Sequence, residues 1–285
     1  MLPEAFLERM KRQLGDEYES YLDSLNRPRA VALRFNPLKG EIPPLPFVGQ
    51  PVPWEPMGYY YDPAARPGLH VFHEAGVYYL QEASAMAPVA LLDPQPGERV
   101  CDLCAAPGGK SFAMAEKMQG KGSVTSCDIY EHKLKRIRDG AARLGLPNIR
   151  TELQDASVCR EEWKDSADVV LCDVPCSGLG IIRKKPEIRF KNPDEIRTLP
   201  EIQARILANC AQYVKKGGTL VYSTCTILQR ENEDVVRAFL TENPEFEAVS
   251  WTHPVCGERA DGMVTLLPPV HNTDGFFIAK MHWKV

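Results

Sequence analysis

From Gly76 onward the chain alternates short apolar runs with amphipathic stretches, and that alternation restricts its fold more than any other feature. Arg99–Cys104, Ser123–Cys127, Asn148–Leu153, Ala167–Cys172, Thr219–Tyr222 and Gly275–Met281 read as strands. Helical patterns fill His132–Leu144, Glu201–Val214 and Glu231–Leu240. In the second of these, Ile202, Ile206, Leu207 and Cys210 form one stripe, and Gly217-Gly218 supplies the stop. Strands that are apolar almost throughout need cover on both faces, which alternating β and α units provide around a parallel sheet. The expected class is α/β, a Rossmann-like doubly wound sheet.

The first 75 residues follow another rhythm. Pro3 to Leu25 reads as a helix with Phe6, Leu7, Met10 and Leu14 on one face, and Ala30 to Phe35 as a short strand. Nine of the 24 prolines fall between Pro37 and Pro67, a density that predicts no regular element there. The expected organisation is a small α+β unit over 1–75 with a proline-rich linker, then a main domain over 76–285. Mean hydropathy is -0.29 and no long charge-free apolar run occurs, which excludes a helical membrane span. The N-terminus carries no secretory pattern, so a cytoplasmic location and a monomer are expected. Nine cysteines in such a chain are buried thiols, metal ligands or nucleophiles rather than disulfides. Cys101 and Cys104 form a CxxC with no second pair, and the six histidines have no ligand spacing, so no metal is expected.

In doubly wound sheets ligands bind beyond the carboxyl ends of the strands. The loop after the first of these strands is Cys104-Ala105-Ala106-Pro107-Gly108-Gly109-Lys110, which lacks the glycine spacing a pyrophosphate requires. Asp128 ends the next strand, where a carboxylate accepts hydrogen bonds from ribose hydroxyls. A nucleoside without a pyrophosphate, such as S-adenosyl-L-methionine, fits this pair. Close strand–helix packing explains the small residues of the loop equally well. Asp155 and Asp173 end the third and fourth strands on the same rim, and three like charges gathered there favour a ligand.

Two cysteines follow adjoining strands, Cys176 in Asp173-Val174-Pro175-Cys176-Ser177-Gly178 and Cys225 in Ser223-Thr224-Cys225-Thr226. With strands ~4.8 Å apart, both thiols reach one pocket. A methyl donor beside two thiols suits methylation at C5 of a pyrimidine: thiolate addition at C6 makes C5 nucleophilic, and a base then removes the C5 proton. Asp173 stands where a hydrogen bond at N3 would assist. Which cysteine attacks is open from the residues alone, because DNA cytosine-C5 methyltransferases use the cysteine of their Pro-Cys motif.

The segments DLCAAPGGKS (102–111), DVPCSG (173–178) and STCT (223–226) together resemble the Sun/Fmu family of RNA cytosine-C5 methyltransferases, and the likeness runs from about Val71 to Met281. It implies that Cys225 is the nucleophile, that Cys176 acts in breakdown of the adduct, and that Cys104 through Lys110, Asp128, Asp155 and Asp173 hold the cofactor. It also implies RNA as substrate, 16S ribosomal RNA first and tRNA as the alternative. Residues 1 to about 115 resemble the F branch of the family; IIRKKPEIRF (181–190) and the C-terminus resemble the B branch. The chain is too short to hold the N-terminal domain typical of the B branch beside these segments.

Residues 183–191 carry five positive charges and one negative immediately after the Pro-Cys motif, which makes Arg183, Lys184, Lys185 and Arg189 expected phosphate contacts. Phe190 is expected to anchor this loop. Arg34 and Asn36 match an Arg-Phe-Asn element of the family's RNA-binding subdomain. The basic helix bearing Lys133 is assigned to solvent. A net charge of -4 confines RNA binding to a local basic rim. An inactive RNA-binding or assembly factor is the rival reading, and it predicts loss of the thiols or rim carboxylates, all of which are present.

Overall fold

The computed structural model describes residues 2–285. The N-terminal helical stretch breaks at Gly15, whose φ of 52° few other residues adopt, into α1 (Glu4–Leu14) and α2 (Tyr18–Leu25). Then come β1 (Ala32–Phe35), β2 (Val48–Val52), β3 (Glu55–Tyr61), α3 (Val71–Glu74) and β4 (Tyr78–Leu80), with strand order β2-β3-β1-β4. Two strands therefore occupy the stretch in which proline density predicted none. Pro51 lies on the edge strand β2, and Pro56 lies beyond the last β1–β3 pair, so neither removes an essential ladder bond. The small sheet also continues through β4, past the expected boundary at 75. Its companion helices do not pack on it. Phe6, Met10 and Tyr21 bury themselves instead against Leu179, Ile188, Ile227 and Leu228, which lie in the two cysteine loops.

The second part runs α4 (Ala83–Leu92), β5 (Arg99–Asp102), α5 (Gly109–Lys117), β6 (Ser123–Asp128), α6 (Glu131–Leu144), β7 (Ile149–Leu153) and β8 (Ala167–Asp173). It continues with α7 (Pro193–Arg197), α8 (Leu199–Ala211), β9 (Val214–Thr224), α9 (Glu233–Glu242), β10 (Phe246–Ala248), β11 (Trp251–His253) and β12 (Gly257–Arg259). β13 (Met263–Leu266), α10 (Pro268–His271) and β14 (Phe276–Trp283) complete it. The main sheet has the order β10-β14-β9-β8-β5-β6-β7, with β13 paired to β14. Strands β5 to β9 are parallel neighbours; β14 is antiparallel to β9, the one departure from the expected parallel set along that core. Gly217-Gly218 does not stop a helix. It lies within β9 where the register against β8 slips, and a Cβ on Gly218 would come within 2.8 Å of the Asp168 carbonyl oxygen, so glycine is required there.

Alternation along the strands feeds two cores. Val169 and Leu171 face one with Phe112, Met114 and Ile137; Val170 and Cys172 face the other with Leu207, Tyr222 and Phe239. Each such side chain, fully buried, contributes roughly 1.5–3 kcal/mol of transfer free energy. Coverage of both faces leaves only the strand ends open for a ligand. The chain departs from β5 in one direction through β6 and β7 and in the other through β8 and β9, so the crevice between the ends of β5 and β8 is the switch point.

Candidate active site

The loop leaving β5 separates two cavities at that switch point. The larger, ≈ 510 Å³, is lined by Cys104 and Ala106 of the loop, Asp128, Asp155 and Asp173 at the ends of β6, β7 and β8, and both Cys176 and Cys225. The smaller, ≈ 170 Å³, is lined by Asp102, Ala105, Pro107, Gly109, Lys110 and, from the following basic segment, Lys184. Gly108 has φ +106°, and a Cβ there would meet Phe112 at 2.6 Å, which fixes glycine at the start of α5.

The three rim carboxylates have different surroundings. Asp128 is buried, accepts the Tyr130 N–H at 3.0 Å and pairs with Lys133 at 3.3 Å. Lys133, which the sequence assigned to solvent, thus belongs to the cleft wall. Asp155 is exposed, and two hydrogen bonds from Ser157, at 2.7 and 2.8 Å, hold its carboxyl below the usual range. Asp173 accepts from Lys110 Nζ at 2.7 Å and from Ser223 Oγ at 2.7 Å.

Register explains how the thiols meet. Asp173 pairs with Ser223 across β8 and β9, and the chain turns at both positions into its cysteine loop. Cys176 Sγ and Cys225 Sγ are 3.1 Å apart. The loops are tied again below the thiols by Ser177 Oγ to Thr226 Oγ1 at 2.8 Å and Gly180 N to the Cys225 carbonyl at 3.0 Å. A Cβ on Gly180 would come within 2.2 Å of the Gly275 carbonyl oxygen, so this join tolerates no side chain. The two thiols titrate in opposite directions. The hydrogen bond from Cys176, helped by the charges of Lys110 and Lys185, lowers the pKa of Cys225; that same bond and burial raise Cys176 well above an ordinary thiol. The pair therefore favours ionisation of Cys225 over Cys176, with burial and Asp173 opposing it.

Several participants lay beyond sequence reasoning. Glu231, fully buried, accepts from Ser177 N and Gln203 Nε2, both at 2.9 Å, while Asn232 holds Thr224 Oγ1 at 2.6 Å and the Thr226 carbonyl at 3.0 Å. Asp102 is fully buried, accepts from Ser111 Oγ at 2.6 Å, and leaves Oδ1 without a partner; burial lifts its pKa to about 7. Ile129 and Tyr130, about half exposed beside Asp128, form an apolar wall of the larger cavity. An acid at a strand end followed by two large apolar residues was the available signal.

Three expected RNA contacts are buried structural groups. Arg34 is 2% exposed, pairs with Glu116 at 2.9 Å and donates to Gln81. Asn36 donates to the Gly76 and Leu144 carbonyls at 3.2 and 2.8 Å. Arg183 pairs with buried Asp274 at 3.1 Å. None retains a surface for phosphate. Lys184 and Lys185 are exposed, Arg189 is half-buried, and Phe190, expected as an anchor, is 81% exposed. Two of the histidines do converge, since His253, Cys256 and His271 form the one potential ligand group among the described residues. Backbone N–H groups occupy Nδ1 of both rings, at 3.1 Å from Cys256 and 2.9 Å from Leu267. His271 Nε2 lies 2.7 Å from Cys256 Sγ, and its Nδ1 is also 3.2 Å from the Leu267 carbonyl oxygen.

A doubly wound sheet with a carboxylate-rimmed nucleoside cleft at its switch point, and a small domain ahead of it, defines a Rossmann-like methyltransferase. The chain belongs to the 16S rRNA methyltransferase RsmB/F family, which matches residues 89–282; the N-terminal domain of 16S rRNA methyltransferase RsmF matches residues 2–83. The chain is 46% identical over 224 residues to a probable ribosomal RNA small subunit methyltransferase B of Bacillus subtilis, covering 76% of this chain and 50% of that protein. It is 32% identical over 301 residues to the ribosomal RNA small subunit methyltransferase F of Cronobacter sakazakii, covering 98% and 63%. It thus spans half to two-thirds of the length of these relatives. A methyltransferase homolog protein from Pyrococcus horikoshii superposes with a TM-score of 0.83 at 28% identity, covering 99% of this chain and 95% of that one. Both branches therefore match, as the mixed motifs predicted. No helix among the described residues is long and apolar enough to cross a membrane.

Proposed function

We propose that the protein transfers a methyl group from S-adenosylmethionine to C5 of a cytosine in 16S ribosomal RNA, through a covalent bond between Cys225 and C6. The observation that carries this reading is the pair of cysteine sulfurs, 3.1 Å apart, opening on the carboxylate-rimmed cleft. Bound there, S-adenosylmethionine supplies an electrophilic methyl group. Asp128 would take the ribose hydroxyls, and Ile129 and Tyr130 the apolar face of the base.

The protein's own groups divide the remaining work. The Cys225 thiolate adds to C6, and the C5–C6 electron pair shifts into the ring. Lys110 and Asp173 act as a unit: the ammonium donates toward N3, while carboxylate lone pairs not used by Lys110 and Ser223 accept from the exocyclic amine. C5 then takes the methyl group. Formation of the adduct removes the negative charge that held the Cys176 pKa high, so Cys176 ionises more readily at the stage when the C5 proton must leave. Loss of that proton returns an electron pair to C5–C6 and expels the Cys225 thiolate. An inactive assembly factor has no use for such a pair. Bisulfite sequencing of 16S RNA incubated with the protein and S-adenosylmethionine is expected to reveal one protected cytosine; uniform conversion overturns the reading.

Alkylation of Cys225 by iodoacetamide, followed peptide by peptide, is expected to show its inflection below pH 9.0, the ordinary thiol value. Above the inflection the thiolate reacts; below it protonation protects. Cys176→Ala removes the stabilising S–H, so the inflection is expected to move upward and the rate at pH 7 to fall. An unshifted profile would mean that the two thiols do not communicate.

A further inference from the structure

Leu179 and Leu228 each lie three residues past a cysteine of the site, and both line another recess, ≈ 270 Å³, under helix α1. Its floor is apolar, made by Phe6, Leu179, Ile188 and Leu228, all buried. Its rim is cationic, with Arg9, Arg189, Lys191, Arg197 and Arg230, and among the described residues no carboxylate lines it. Arg197 has an exposed partner in Asp194 at 3.5 Å, a contact of little energetic weight. Among the described residues Arg9, Arg189 and Arg230 enter no ion pair.

These cations are not simply solvated. Nε of Arg189 and Nε of Arg230 are buried without an acceptor. Loss of solvent and the nearby charges of Arg9 and Arg197 lower the pKa of Arg230, with Glu231 opposing in part. Like charges converging on half-buried, unpaired donors are unfavourable until an anion joins them, and planar guanidinium groups suit phosphate oxygens. A bare anion would leave the apolar floor unused. A nucleotide uses both, with its phosphate on the arginines and its sugar or base over Phe6 and Ile188. Phe190, between two rim residues and 81% exposed, adds a stacking face.

We propose that this recess binds one nucleotide of the RNA strand flanking the target cytosine, by its phosphate and an apolar contact. The proposal rests on the reading of RNA as substrate. Three residues extend at most ~11 Å, which places the bound nucleotide within about three positions of the target at ~3.4 Å per stacked nucleotide. The recess would hold the strand while the cytosine turns into the cysteine pocket.

The test compares the wild-type protein with Arg9→Ala/Arg230→Gln and with Phe190→Ala. Binding of a short fluorescein-labelled single-stranded RNA with one cytosine is followed by anisotropy across a salt series. The double variant is expected to bind about tenfold more weakly, and the slope of log K against log salt to shrink by about 0.7 for each phosphate no longer neutralised. Phe190→Ala is expected to weaken binding without changing the slope. Affinity for S-adenosylmethionine is expected to stay unchanged and reports on folding; should the double variant misfold, Arg9→Ala, at an exposed helix position, makes the same comparison. Unchanged RNA affinity and slope overturn the recess. Wild-type protein that binds RNA with the expected slope, yet methylates none, overturns the reaction and leaves the recess standing; wild-type protein that binds no RNA overturns both.

Discussion

Alanine at Cys176 is expected to leave RNA attached to Cys225 through a bond that survives denaturation. The geometry makes the two cysteines unequal before substrate arrives. Their contact and the charges of Lys110 and Lys185 lower the pKa of Cys225, while the same contact and burial raise that of Cys176. Removal of the Cys176 thiol slows attack, because Cys225 loses a stabilising donor. It affects the later step more, because Cys176 is the one ionisable side chain among the described residues in hydrogen-bond contact with Cys225 Sγ, and so the group placed to take the C5 proton. Base catalysis of this kind contributes roughly 10²–10⁴ in rate, so turnover is expected to fall by that factor while the adduct accumulates. Cys225→Ala is expected to give neither adduct nor methylated product, since nothing else at the site opens C6. Labelled RNA run on a denaturing gel, with peptide mass mapping of the retained band, separates these outcomes. An adduct formed by the Cys225→Ala protein, or methylation retained by it, would reverse the roles assigned to the two thiols.

That the two thiols share one site was legible in the sequence for a definite reason. Strands apolar on both faces must be central, central parallel strands expose only their ends, and residues just past the ends of neighbours share a crevice. Asp128, Asp173, Cys176 and Cys225 obey that rule, and together with Asp155, which follows the edge strand β7, they line one cavity. Groups whose partners lie far along the chain were not legible. Arg34 looks like any surface arginine in a short strand, because Glu116, 82 residues away, is what makes it buried. Arg183 belongs to a basic run, yet Asp274 takes its charge from 91 residues away. Glu231 and Asn232 read as the polar start of a helix and are fully buried struts of the cysteine loops. The prolines misled for a related reason. A proline forbids a central strand only if its missing N–H was needed, and edge position is a tertiary fact.

The Arg34–Glu116 pair makes the second large effect calculable in sign. It joins β1 of the small sheet to α5 of the catalytic part, with side chains 2% and 3% exposed and atoms 2.9 Å apart. Neither group is fully satisfied, since Arg34 Nη2 and Glu116 Oε1 lack partners, and burial raises the Glu116 pKa despite the adjacent guanidinium. Desolvation therefore consumes much of the attraction, as is usual for buried pairs. Glu116→Gln is expected to destabilise the fold by about 3–5 kcal/mol, because it strands a buried guanidinium. Arg34→Met combined with Glu116→Leu removes both charges from the same volume and is expected to restore most of that loss. Denaturant midpoints for the single and double variants measure the coupling directly. The double variant should also keep the salt dependence of RNA binding seen in the wild-type protein, because a side chain sealed between β1 and α5 releases no counterion from a phosphate. A smaller salt slope in the double variant would return Arg34 to the RNA-binding surface, and a Glu116→Gln protein as stable as the wild type would show that the pair does not hold the two parts together.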